Sequence, residues 1–213
     1  MDHQTVQSAM TSPQRRTIGL IASFLAFQGA WFACVLGAAR GRPDLGVTLV
    51  LLVCGIQLAL SAARREELAL AGAAVALGLI WDTAMLRSGV VDYASPGPVH
   101  GWAPSWILAL WILFATLLRG PLQWLHGRTL LAALLGGVGG PMSYLGAVRL
   151  GAGSFKNLEE AMLVLGLGWA VITPLLTELA RRLEASRKKP LEILFGGSIL
   201  VFDRQDASAG EHL

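Results

Sequence analysis

Residues 68–86 read LALAGAAVALGLIWDTAML, a run with one charged side chain, Asp82, closed off by Glu66 and Glu67 on one side and Arg87 on the other. Wound as a helix at about 1.5 Å per residue, a run of this length crosses a hydrocarbon core of roughly 30 Å. It predicts a transmembrane helix, and the same test applied outward along the chain finds five more. The six windows are 18–39, 45–63, 68–86, 104–118, 129–148 and 158–179. The fourth is the shortest and relies on Trp102 and Arg119 to reach the interfaces.

Composition agrees with this count. Of 213 residues, 54% are hydrophobic and only 15% charged, with a mean hydropathy of +0.57. A soluble domain keeps about a quarter of its residues charged. The expected fold is therefore all-α: a polytopic membrane protein, a bundle of six transmembrane helices. Its organisation is a cytoplasmic segment 1–17, a membrane domain 18–180 and a basic cytoplasmic tail 181–213. The net charge is only +3 and the basic residues sit in short connections, so no nucleic-acid partner is implied.

Orientation follows from the side on which Lys and Arg accumulate. With the N-terminus inside, Arg15, Arg16, Arg64, Arg65, Arg119, Arg128, Arg181, Arg182, Arg187, Lys188, Lys189 and Arg204 are cytoplasmic, while Arg40, Arg42, Arg87, Arg149 and Lys156 are external, 12 against 5. Both termini are thus expected inside, with a bacterial inner membrane as the compartment. The apolar run after Arg16 exceeds a signal peptide's core of about 7–15 residues and carries Gln28 and Trp31, so an uncleaved first span is expected. Beyond the sixth span, Arg181–Lys189 reads as a basic helical extension against anionic lipid. Residues 191–202 read as two short β-prone runs around Gly-Gly-Ser, a candidate interfacial hairpin.

The polar groups inside the spans are the candidate site. Asp82 is costly in a membrane unless it is paired or hydrated. Arg87, five residues on, does not share its helix face, so the expected partner is Arg40 or Arg149 from other helix ends. Three outward-running helices close with Arg and a nearby Gly: Arg40-Gly41, Arg87-Ser88-Gly89 and Arg149-Leu150-Gly151. Either each Arg snorkels while Gly ends the helix, or the three guanidinium groups converge on one outer pocket. Gln28 and Gln57 lie at comparable depth in the first two spans and are expected to hydrogen-bond.

In residues 136–141, Gly-Gly-Val-Gly-Gly-Pro, a proline without a backbone donor follows four glycines, which predicts a kinked or broken helix at Gly139, Gly140 and Pro141. Freed backbone groups in a membrane line cavities or pack on protein, and Tyr144, Trp31 and Trp81 are placed to line the same cavity. Trp102, Trp106, Trp111 and Trp124 read instead as interfacial anchors. Small residues at Gly37 and Gly41, Gly72 and Ala76, and Gly136 and Gly140 are expected packing seams. The connection 88–103, with Asp92, Tyr93 and His100, reads as a loop or short lid. Cys34 and Cys54 behave as small hydrophobes. No His/Cys/carboxylate spacing suits a metal, no nucleophile motif occurs, and no cofactor is implied.

The segments WFACVLGAARG (31–41) and GGPMSYLGA (139–147), with Trp81-Asp82 between them, resemble an uncharacterised family of small proteobacterial inner-membrane proteins, a domain of unknown function. The resemblance covers about residues 18–180 and implies no assigned activity or site. It implies a setting in lipid metabolism, beside fatty-acid-modifying enzymes. Three functions compete. The first is a small transporter or binder of an amphiphilic or anionic ligand with a periplasmic-side polar pocket. The second is an accessory protein that holds a lipid-modifying enzyme within the membrane. The third is an intramembrane enzyme using Asp82 as acid or base, which lacks an obvious second titratable group. The expected partners are membrane lipids, an amphiphilic small molecule, or a membrane or lipid-enzyme protein.

Overall fold

In the computed structural model of the protein, which describes residues 12–195, six helices follow in the order α1 (Ser12–Ala39), α2 (Pro43–Leu60), α3 (Arg64–Ser88), α4 (Ser105–Arg119), α5 (Thr129–Arg149) and α6 (Leu158–Phe195). Five are long and apolar enough to cross a membrane, and α4, at 15 residues, is shorter. The chain is an all-α polytopic bundle. Helix ends carry the expected signals. Pro43 opens α2 with Asp44 beside it, Glu66 and Glu67 begin α3, and Glu159 and Glu160 begin α6, where the positive end of the helix dipole favours them. Gly41, Gly89 and Gly151 adopt φ of 68°, 73° and 88°. The glycine that follows each helix-end Arg is therefore a left-handed stop, a conformation a Cβ disfavours.

The short helix sits in the middle. Helix α4 packs on α1, α2, α3 and α6, while α5 packs chiefly on α6 and α1 on α2. Trp106, Ile107, Ala109, Trp111, Leu113, Ala115, Leu117 and Leu118 are all buried, so α4 is covered on most of its circumference, as an apolar helix in a core should be. Leu, Ile, Val and Phe on α1, α2, α5 and α6 remain exposed along the outside, the pattern that lipid contact allows.

Several expectations are corrected. The connection 88–103 is more than a loop: β1 (Val91–Tyr93) pairs antiparallel with β2 (Gly153–Phe155), with Val91 opposite Phe155 and Tyr93 opposite Gly153. This ribbon marks one end of the bundle, opposite the α6 tail. Helix α5 is continuous through Pro141 rather than broken. The carbonyl that Pro141 leaves without its helical donor, that of Gly137, faces α6 so closely that a Cβ on Gly166 would lie 3.3 Å from it; the small-residue contact accommodates the proline. The α3 seam does not use Gly72 and Ala76, which are exposed; it runs through Leu70, Ala74, Gly78 and Asp82 at four-residue spacing. Leu191–Phe195 continues α6, through Pro190, rather than forming a strand. The remainder of the expected hairpin, the residues before Ser12 and those after Phe195 lie outside the described residues.

An aromatic cavity with a buried carboxylate

Asp82 is fully buried, on the α3 stripe that faces the bundle centre. Its expected arginine partners are absent from it. Tyr93 Oη donates to Asp82 Oδ1 at 2.6 Å and Tyr144 Oη donates to the same oxygen at 2.5 Å, while Trp111 Nε1 donates to Oδ2 at 2.6 Å. These donors come from β1, α5 and α4, so the acid ties four elements together. A carboxylate accepts only, and indole Nε1–H donates only, so the set suits an acid held by hydrogen bonds instead of a counter-ion. Burial first, and then the charge of Asp82, hold the Tyr93 phenol well above its ordinary pKa; it stays a donor.

The tryptophans reach this position because glycines lie beneath them. A Cβ on Gly78 would stand 2.3 Å from three atoms of the Trp111 ring, one on Gly140 would stand 2.2 Å from Trp169 Cγ, and one on Gly168 would stand 2.0 Å from Trp81 Cη2. Trp111 and Trp169 then stack, with centroids 4.9 Å apart and planes 11° from parallel. Trp106 is buried too, donating Nε1–H to Ser95 O at 3.1 Å and meeting Tyr93 edge-on. Ser95 in turn donates to Ala38 O at 2.8 Å, and Ala103 N donates to Thr83 Oγ1 at 3.0 Å. The 88–103 connection is thereby fixed over the bundle.

Beside this cluster lies a cavity of about 520 Å³ between α1 and α5, with α4 as its back wall. It runs from Val91 and Gly153 at the ribbon end to Leu122 and Leu125 at the other. Its lining is aromatic and aliphatic, and the three donors to Asp82 all belong to it. Exposed Leu135, Gly139 and Met142 on α5 are part of the wall, so the cavity opens sideways, between helices. One buried polar atom on its wall, Thr173 Oγ1, has no hydrogen-bond partner. Trp31 Nε1, on α1, donates across the opening to Ser143 Oγ on α5 at 3.1 Å.

Of the residues singled out from the sequence, Gln28, Trp31, Gly139, Gly140 and Tyr144 line the cavity, with Asp82 directly behind Tyr144. The others do not join them. Arg40, Arg87 and Arg149 are exposed, so no triple-guanidinium pocket forms: at the ends of apolar helices these side chains keep their charge at the surface. Arg87 donates to Gly101 O at 2.9 Å and lies over the Trp102 ring. Trp81 packs on Gly168, its Nε1 buried without a partner. Gln57 does not bond Gln28. Gly46 packs against Cys34, and that antiparallel register sets Gln57 opposite Ser23, about 7.5 Å along the helix from Gln28. It also separates the two cysteines, both free thiols.

Trp102 and Trp124 are exposed, but Trp106 and Trp111 are buried; these two, with Tyr93, Trp169 and Thr173, are the site residues that the sequence did not single out. A signal for Trp111 existed in its position, mid-way along the shortest and most uniformly apolar helix. No group of His, Cys and carboxylate side chains suited to a metal occurs among the described residues.

No curated protein and no solved structure matches the chain. A family model matches residues 20–175, nearly all of the helical bundle, and on that match the chain belongs to the family described as protein of unknown function (DUF2878).

Proposed function

We propose that this membrane protein binds an amphiphilic molecule, as a carrier or a receptor, in the cavity between α1 and α5. The observation that carries the reading is the cavity itself: about 520 Å³, within the roughly 300–1,000 Å³ typical of small-molecule sites, with an apolar lining and a few convergent polar groups. Its sideways opening faces the zone where an amphiphile partitions from lipid. Thr173 Oγ1 on the wall has hydrogen-bonding capacity that no protein group uses. An anionic headgroup gains little here, because no Lys or Arg belongs to the lining. The positive-inside count places the ribbon end on the periplasmic face of an inner membrane as part of the same proposal, and a lipid substrate is consistent with it.

Gly139 supplies the test, since it lines the cavity and a Cβ there meets nothing within 4 Å. Gly139→Phe adds a ring at the cavity wall from a Cβ that has no clash. Gly72→Phe, on the exposed face of α3 where a Cβ also meets nothing, is the control. Mass spectrometry of the mildly solubilised proteins is expected to find a discrete amphiphile retained by the wild type and Gly72→Phe and lost from Gly139→Phe. Equal retention by all three, or no specific molecule in any, overturns the reading.

A further inference from the structure

We propose that the head of this ligand is a lipophilic cation, an organic ammonium or a similar group, recognised by the aromatic faces of the cavity and by the Asp82 carboxylate behind them. This rests on the amphiphile reading above and narrows it to a charge class.

Two observations lead to it, and a third joins them. The first is the charge inventory. Asp82 is buried and bonded by three neutral donors, and the ion pairs among the described residues, Arg42–Asp44, His126–Glu184 and those of Glu178 with Arg181 and Arg182, all lie elsewhere. No Lys, Arg or His lines the cavity. In a medium of low dielectric the field of a carboxylate reaches several ångströms with little screening, so Asp82 biases the Tyr93, Trp111 and Tyr144 side of the cavity toward negative potential, while Arg119, with a buried Nη1 that has no partner, is not part of the lining.

The second is the lining. Trp31, Trp106, Trp111, Tyr144 and Trp169 all belong to one wall system; Trp111 and Trp169 commit one face each to their mutual stack, and a ring face left open to the cavity attracts a cation within about 6 Å, most strongly when it is desolvated. An anion meets the same faces unfavourably. The third is the coupling between these two. The ring of Trp111 and the phenols of Tyr93 and Tyr144 donate their polar hydrogens to Asp82, and a hydrogen bond to a carboxylate pushes electron density back into the donor group. The carboxylate thus acts on the cavity through the aromatic groups that separate it from the ligand. Asp82 is a positioning and charge-setting residue, while the rings make the contact.

Tetraphenylphosphonium and tetraphenylborate have the same four-phenyl shape and opposite charge, which makes them the probes of choice. Binding of each to the full-length protein in lipid nanodiscs is measured by equilibrium dialysis, with empty discs subtracted. The phosphonium is expected to bind saturably and at least tenfold more tightly than the borate. Asp82→Asn, which keeps the shape of the side chain, should weaken phosphonium binding at least tenfold. Gln28→Lys places a positive charge on the wall away from the Asp82 cluster, and should weaken phosphonium while strengthening borate; it carries the test if Asp82→Asn does not fold.

Repeating the titration in discs of phosphatidylcholine and of a neutral glycolipid separates two sources of the cation. Weaker phosphonium binding in the choline lipid assigns the site to a cationic headgroup, and equal binding assigns it to a free lipophilic cation. Borate binding equal to or tighter than phosphonium overturns the proposal, as does wild-type affinity in folded Gln28→Lys and Asp82→Asn. Absence of saturable binding by either ion also overturns it, and amphiphile retention by Gly72→Phe but not Gly139→Phe then shows that the cavity reading survives alone.

Discussion

Two carboxylates on spanning helices are satisfied in opposite ways. Glu178, just past the middle of α6, accepts from Arg181 at 2.7 Å and Arg182 at 2.8 Å, partners three and four residues further along the same helix. Asp82 accepts from Tyr93, Trp111 and Tyr144, which are 11, 29 and 62 residues away. The first arrangement needs one helix and water; any α-helix with that spacing forms it. The second needs α3, α4, α5 and the ribbon to be assembled, and it exists only in the folded bundle. A local ion pair therefore reports little about tertiary structure, whereas the Asp82 cluster measures whether the bundle is correctly closed.

The comparison breaks most severely if the core acid is deleted. Asp82→Ala leaves two phenols and an indole N–H without their acceptor in a buried site, at about 1–3 kcal/mol for each group that finds no other partner. Because inserted but unfolded helices also find partners, a total loss of roughly 2–5 kcal/mol is expected, read by denaturant titration in detergent. A loss indistinguishable from zero would mean the cluster is not a structural tie.

Next in size is Gly78→Ala. One methyl group would stand 2.3 Å from the Trp111 ring, so the ring must shift and its bond to Asp82 is lost or stretched. Overpacking of this kind costs about 1–3 kcal/mol, and the same titration should show it together with a red shift of tryptophan emission. Trp111→Phe keeps most of the ring and removes the donor, and about 1–2 kcal/mol is expected from one lost charge-assisted bond. If Gly78→Ala and Trp111→Phe are combined, their effects should fall short of additive, since both act on one contact.

What was legible in the sequence follows the same division between local and assembled features. The helices were readable because length and apolar composition are properties of a single segment, and five of the spans match helices long enough to cross. The glycine stops after Arg40, Arg87 and Arg149 were readable for the same reason. Asp82 announced itself as an acid where acids are costly. Its partners did not, because a lone segment does not say which helix faces it. Charge suggested arginine, yet Arg40 and Arg149 at helix ends reach water at little cost, whereas the buried Trp111 and the half-buried Tyr144 need an acceptor. The tryptophans of α4 were ambiguous because burial and interfacial anchoring use the same residue type. Position within the helix singles out Trp111, which is mid-helix, from Trp102 and Trp124, which lie outside it, but not Trp106, the second residue of α4 and buried all the same. The ribbon escaped because strands of three residues carry almost no periodicity.

The smallest effect is expected at the other acid. Glu178→Gln removes a carboxylate whose two Arg partners are about half or more exposed, where each guanidinium exchanges protein for water readily and the gain from pairing is largely offset by side-chain entropy and solvent screening. No resolvable change in the denaturation midpoint is expected, and whatever change appears should fade as salt is added. The Asp82→Ala loss should be insensitive to salt, because its partners are neutral and buried. Salt dependence is thus the sharper discriminator of the pair: a salt-sensitive Asp82 variant would mean that a mobile cation or a solvent-exposed arginine reaches the core acid after all, and a salt-insensitive loss at Glu178 would mean that this pair is held by contacts within the bundle.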